Sequence, residues 1–142
     1  ATDKTATRTS TVRVRNHLGN GYFLQVIGDP PKFGNRALAT PATPTASEKG
    51  KEQFAINFAH NPTLDLGADP LQVPSGQAVF GQTTSNYGTA DRFMYHSGDV
   101  VAQSSAPSGR TDYTMSMIVN VSGTTPAGHF TGDFSVVAIP MY

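Results

Sequence analysis

Histidine is the residue type in this chain that could most readily supply acid–base or metal chemistry. No two histidines have the i, i+4 helical spacing or the frame of a metalloprotease. Three of the four lie beside Asn, Gly or Pro, in segments that the sequence predicts as turns. We therefore interpret them as loop histidines, and a zinc site assembled by the fold is the alternative. The four are His17, His60, His96 and His129.

The carboxylates form one pair with ligand-like spacing. Asp65 and Asp69 flank Gly67, and loop carboxylates can bind calcium. A calcium site needs about six oxygen ligands, whereas this segment offers two side chains, so we predict turn-forming aspartates. The two glutamates of the chain, Glu48 and Glu52, lie in one charged stretch that we interpret as a solvated face. A paired-carboxylate glycosidase site is therefore not expected.

The sequence also gives no clear motif for a catalytic nucleophile. No serine stands in a G-x-S-x-G elbow. Asn120 begins an Asn-Val-Ser glycosylation sequon but lies in a predicted strand, so we interpret that match as chance. The sequence thus predicts no catalytic residue, no metal site and no cofactor, and we do not expect an enzyme.

An aromatic cluster is the strongest candidate for ligand binding. If Tyr87 and Tyr95 are exposed in a groove, their rings can stack on a sugar, which gives the alternative of a carbohydrate-binding or adhesin module. Only Arg92 and Arg110 lie near these rings, so base stacking with nucleic acid is poorly supported. We favour aromatic side chains buried in a sandwich. The cluster comprises Tyr87, Phe93, Tyr95 and Tyr113.

The composition narrows the possible partners. The 142 residues carry a formal net charge of zero, and 14% are charged, against about 25% in typical proteins. Such a surface attracts nucleic acid weakly and does little to oppose self-association. No apolar run reaches about 18 residues, so no membrane insertion is expected. The start at Ala1 is typical of a secreted chain after signal-peptide removal, which predicts an extracellular or cell-surface location.

The elements that must position these residues are strands. Between Asp112 and Tyr142, apolar and polar residues alternate in two runs separated by Gly and Pro, which predicts an antiparallel hairpin. Further short apolar runs bring the total to seven to nine strands. The fold class is therefore all-β: an antiparallel β-sandwich, immunoglobulin-like or jelly-roll-like. The side chains that we expect in its core are Phe23, Phe58, Met117, Val119 and Phe134.

One early strand is expected to be apolar on both faces, at residues 22–27. Gly28 to Pro31 should end it. Residues 28–51 show no sustained period and predict a long surface loop, or a loop with short strands.

Two segments resemble a known class of domain. Val12 to Leu24 resembles the V-x-V-x-N-x-x-x-x-G-Y-x-L opening of exported bacterial β-sandwich modules. Thr125 to Phe134 is similar to the P-A-G-x-Y/F-T-G turn and last strand of the same domains. These include pilin-like fibre subunits and surface modules of the WxL type, although the WxL tripeptide is absent because the chain has no Trp. The resemblance implies an immunoglobulin-like building block outside the cell.

These features predict a structural subunit of an extracellular filament or surface layer, which forms a homo-oligomer or polymer by β-strand addition. Residues 1–11 are polar but rich in Thr, and we expect them to form an N-terminal arm that donates a strand to a neighbour. Residues 12–142 should form one sandwich domain. A viral coat protein is the other alternative. The predicted interface residues are Thr5, Thr7, Thr9, Thr11, Val12, Val14, Phe130, Phe134 and Val136.

Overall fold

Strands account for all the regular secondary structure in the part of the chain that the structure describes. This structure is a computed structural model, and it describes residues 5–16, 20–33, 36–73, 81–105, 109–123 and 131–141. These residues form no helix, and so they include no helix that is long and apolar enough to cross a membrane. The strands are β1 (Ala6–Asn16), β2 (Tyr22–Phe33), β3 (Arg36–Ala37), β4 (Gln53–Asn57), β5 (Leu71–Val73), β6 (Gln82–Thr83), β7 (Val100–Ser104), β8 (Gly109–Asn120) and β9 (Thr131–Pro140).

The strands form two antiparallel sheets, which confirms the predicted all-β sandwich. In the first sheet, β1 lies along one side of β8, and β4 and β5 follow one another along the other side. In the second sheet, β9 lies along one side of β2, while β7 and β3 pair with the other side. Strand β6 completes this sheet by pairing with β7.

The order of strands fits the jelly-roll alternative. The first strand pairs with the eighth and the second pairs with the seventh, so one long hairpin is rolled into two sheets. An immunoglobulin sandwich instead places its first strand beside its second in one sheet. Here β1 and β2 belong to different sheets.

The core lies between the sheets and contains alternate residues of each strand. Strand β2 contributes Tyr22, Leu24 and Val26, all buried, whereas Phe23 and Ile27 face away from the core. The prediction that Phe23 is buried in the core was therefore wrong, because the sandwich has only two layers and β2 is covered on one face. Phe58 is fully buried, as predicted. The other expected core residues, Met117, Val119 and Phe134, are half-buried and pack at the edge of the core.

Strand β2 is longer than the sequence predicted. It continues through Pro30 and Pro31 to Phe33 instead of ending at Gly28. The register with β9 shifts between Asp29 and Lys32, because two consecutive prolines provide no backbone N–H for the ladder. The segment 28–51 accordingly contains the end of β2 and the short strand β3. This matches the expectation of a loop with short strands.

Candidate assembly site

Strand β1 is the most exposed long strand in the described structure. It pairs with β8 from Ala6↔Val119 to Asn16↔Gly109. Residues 6–11 are nevertheless exposed on both faces of the strand, whereas Val14, near its other end, is buried. The first half of β1 is therefore held mainly by its backbone ladder with β8, since its side chains bury little surface.

Strand alternation divides the side chains of β1 into two rows. The odd positions Thr7, Thr9 and Thr11 lie on the outer face of the sheet, on the same side as buried Ile118 of β8. The even positions lie on the side of the core, where Arg8 pairs with Met117 and Val12 pairs with Tyr113. The second row is the one that faces the other sheet.

The boundary expected between an arm and a domain at residue 11 falls within β1. Residues 6–11 belong to the same strand as residues 12–16 and pair with β8 of their own chain. The physical reason is that β8 would otherwise present a long unpaired edge, and backbone pairing stabilises a polar strand that buries little apolar surface.

A hydrogen-bond network anchors the chain just before β1. The Thr5 hydroxyl donates to Asn120 Oδ1 over 2.6 Å. The Asn120 amide in turn donates to Gln53 Oε1 over 2.9 Å and to Ser47 Oγ over 3.0 Å. Asn120 is fully buried, so the side chain of the sequon serves to hold the ends of β1, β4 and β8 together.

An open groove separates β1 from β9. Two adjoining hollows of about 530 and 420 Å³ form it, and both are lined by Arg8, Met117 and Phe134. Val12 and Val136 line the first hollow, and Val119 and Phe54 line the second. Each bordering strand has one unpaired edge within the described structure, since β1 pairs only with β8 and β9 only with β2.

The groove brings together some of the predicted interface residues and not others. Val12, Phe134 and Val136 meet along it, as half-buried side chains. Thr7 and Thr9 also line the hollows, although their side chains belong to the outer row of β1, as does that of Thr11. Thr5 takes part in the network with Asn120, and Val14 belongs to the core. Phe130 lies outside the described residues.

Several groove residues, including Arg8, Met115 and Met117, were not among the predicted interface residues. The alternation of residues 113–121 showed that the methionines lie on an apolar face. No local pattern showed that this face would be left partly uncovered, because that depends on which strands lie opposite.

The structure buries the aromatic cluster that a sugar-binding module would need. Tyr87, Phe93, Tyr95 and Tyr113 are each at most 2% exposed. The Tyr87 hydroxyl donates to Asp99 Oδ2 over 2.6 Å, and the hydroxyls of Tyr22 and Tyr113 lie 2.7 Å apart. Neither ring of the pair Tyr87 and Tyr95 is available to stack on a ligand.

The other described polar residues considered for metal binding or catalysis lie in a turn, bind the backbone or are exposed. Asp65 adopts a positive φ of 51° in a turn, and Asp69 accepts a hydrogen bond from the backbone N–H of His60. His60 and His96 are exposed, and His17 and His129 lie outside the described residues. Within the described ranges, no three His, Asp or Glu side chains are close enough together to hold a metal ion.

No protein-family model, curated protein or solved structure matches the chain.

Proposed function

We propose that this protein is a non-enzymatic structural subunit that assembles with copies of itself by exchanging β1 between neighbours. The assembly is an extracellular filament or surface layer. The observation that supports the proposal is the state of residues 6–11, which are paired with β8 along the backbone yet exposed on both faces.

Exchange of this strand costs little free energy. If β1 leaves its own β8 and pairs with β8 of a neighbour, the same eleven residues form the same ladder in the same register. Each backbone hydrogen bond contributes only about 1 kcal/mol net, and every one lost within a subunit is regained between subunits. Swapping an identical element between copies is a low-cost route to oligomers for this reason.

The composition favours the same outcome. A formal net charge of zero, with 10 basic and 10 acidic residues, leaves no long-range repulsion between copies. The exchanged strand carries Arg8, Arg13 and Arg15. Arg13 Nε lies 3.7 Å from Asp112 Oδ2 of β8. That ion pair re-forms across the new interface when β1 keeps its register.

Deleting residues 1–11 tests the proposal. We expect a folded domain that no longer assembles, because half of the exchanged ladder is gone. A peptide of residues 1–15 should bind this domain and raise its melting temperature. At a peptide concentration one hundred times Kd, the added free energy of unfolding is about 2.7 kcal/mol. Analytical ultracentrifugation measures the assembly and differential scanning fluorimetry measures the stabilisation.

The matched controls are a 1–15 peptide and a full chain that both carry two proline substitutions in β1. Proline at both Thr9 and Ser10 removes at least one N–H from the ladder, since successive N–H groups point to opposite sides of a strand. The 1–15 peptide with both prolines should not stabilise the deleted domain, and the full chain with both prolines should not assemble. Assembly of either altered protein to the extent of the unaltered chain would contradict exchange of β1.

A closed shell is the second candidate for the form of the assembly. The pairing of β1 with β8 and of β2 with β7 follows the jelly-roll plan, which is common in viral coat domains. Negative-stain electron microscopy of the purified chain separates the two forms. Filaments support the first candidate, and closed particles of uniform diameter support the second.

A further inference from the structure

The groove between β1 and β9 is a site that the exchange of β1 does not fill. It runs beside β1 from Ala6 to Val12, a distance of about 20 Å at the rise of an extended strand. Its floor consists of core side chains, including Phe54, Met117 and Val119. An exchanged β1 occupies the same position beside β8 and leaves the groove open.

Arg8 is the unusual residue of this groove. It pairs with Met117, so its side chain lies in the row that faces the core, and it lines both hollows. Among the described residues that line the groove, it is the only charged one. It forms no ion pair or hydrogen bond with any residue that the structure describes.

An uncompensated guanidinium restricts what can cover the groove. A purely apolar segment would take Arg8 out of water without a partner, which costs several kcal/mol. A segment that carries a carboxylate at the matching position pairs with the guanidinium through charge-assisted hydrogen bonds. The free edges of β1 and β9 at the same time offer backbone groups to an extended chain.

From this geometry we infer that the groove binds one extended segment of a different protein, apolar at alternate positions and carrying one Asp or Glu opposite Arg8. Six or seven residues fill the length of the groove. The inward side chains pack on Met117 and Phe134, and the carboxylate meets Arg8. This partner goes beyond the proposed function, because it is not the copy that exchanges β1.

This chain itself offers no suitable segment among its described residues. Residues 5–16 contain no Asp or Glu, so β1 of a second copy would place a second Arg8 against the first. The described runs in which a carboxylate is followed by apolar residues at alternate positions are Glu52-Phe54-Ile56, Asp69-Leu71-Val73 and Asp91-Phe93-Tyr95. The first and third bury their apolar side chains in the core, and Leu71–Val73 is the three-residue strand β5, which is already paired with β8 of its own chain. We therefore assign the segment to a different polypeptide.

Two synthetic nine-residue peptides test the inference on the full chain. The first has the sequence Val-Thr-Ile-Ser-Glu-Ser-Val-Thr-Ile, and the second has Gln in place of Glu. We expect the Glu peptide to bind at least tenfold more tightly, which corresponds to about 1.4 kcal/mol, by isothermal titration calorimetry at pH 7. The preference should disappear in Arg8→Gln, and Arg8→Glu should prefer a peptide with Lys at that position.

Arg13→Gln is the matched control, because Arg13 lies on the same strand but on the outer face, paired with Asp112. It should keep the tenfold preference. Circular dichroism checks that each variant is folded. Equal binding of the two peptides, an unchanged preference in Arg8→Gln, or binding of neither peptide would overturn the inference. Assembly is measured separately by ultracentrifugation: a chain that assembles but binds no peptide refutes this site alone, and the reverse result refutes only the exchange of β1.

Discussion

Replacing Phe58 by Ala is expected to lower the free energy of unfolding by about 3–5 kcal/mol, the usual loss for a fully buried aromatic side chain. Phe58 has no exposed surface, and its ring packs edge-on against Tyr113 with the centroids 6.5 Å apart. Removing the ring leaves a cavity where the two sheets meet. Urea denaturation followed by circular dichroism measures the loss.

Phe134→Ala is the matched comparison for this prediction. The Phe134 ring contacts Phe54 and Tyr95, with centroids 5.5 and 5.4 Å away, but it is half-buried beside the groove. The loss should be clearly smaller than for Phe58→Ala, because part of the ring already meets solvent. Equal losses would show that the groove is closed in solution, which would contradict the open site beside β1.

Alkaline pH is expected to destabilise the fold through its buried tyrosines. Burial, followed by the hydrogen bond with Tyr22, raises the pKa of Tyr113 far above its ordinary value of about 10. Burial and the hydrogen bond to Asp99 do the same to the pKa of Tyr87. In the unfolded chain both groups lose their protons near pH 10, while the folded chain keeps them.

The sign of the effect follows from this difference in bound protons. Below pH 10 both states hold the protons, and the stability from these groups is fully present. Above pH 10 the unfolded state is favoured by up to about 1.4 kcal/mol per pH unit for each tyrosine that stays protonated in the fold. Urea denaturation at pH 8, 10 and 11 should show the decline in the free energy of unfolding. Tyr113→Phe should make this decline shallower by up to about 1.4 kcal/mol per pH unit, because one proton fewer is involved. Ionisation of Tyr87 and Tyr113 near pH 10 in the folded chain, without loss of stability, would contradict the burial of their hydroxyls.

The strands that the sequence predicted well are those with a strong local pattern. Alternation around Met115 and Met117 identified β8, and the run over residues 130–139 identified β9. The prolines at 30 and 31 were interpreted as the end of β2, because a local rule cannot show that a register shift will accommodate them. Phe23 was assigned to the core because a short apolar run does not reveal which of its faces is covered.

The candidate site could be predicted only in part, for a reason that concerns long-range pairing. Val12, Phe134 and Val136 were identified as interface residues from their apolar positions, and the structure places them along one groove. The pairing of the first strand with the eighth joins residues more than 90 positions apart, and no local pattern specifies it. The partner of residues 6–11 and the inward position of Arg8 both depend on that pairing.

Cross-linking between two single-cysteine variants tests the exchange of β1 most directly. The chain has no cysteine, so any thiol reaction reports on the introduced residues alone. Thr11 of β1 pairs with Thr114 of β8. Thr11→Cys and Thr114→Cys full chains are unfolded, mixed, refolded together and treated with a short thiol-specific cross-linker. Exchange predicts a covalent dimer of the two variants in the assembled fraction, seen by denaturing gel electrophoresis and mass spectrometry. Assembly without that dimer, with cross-linking only inside a chain that carries both cysteines, would show that β1 stays with its own β8 and would contradict the proposed function.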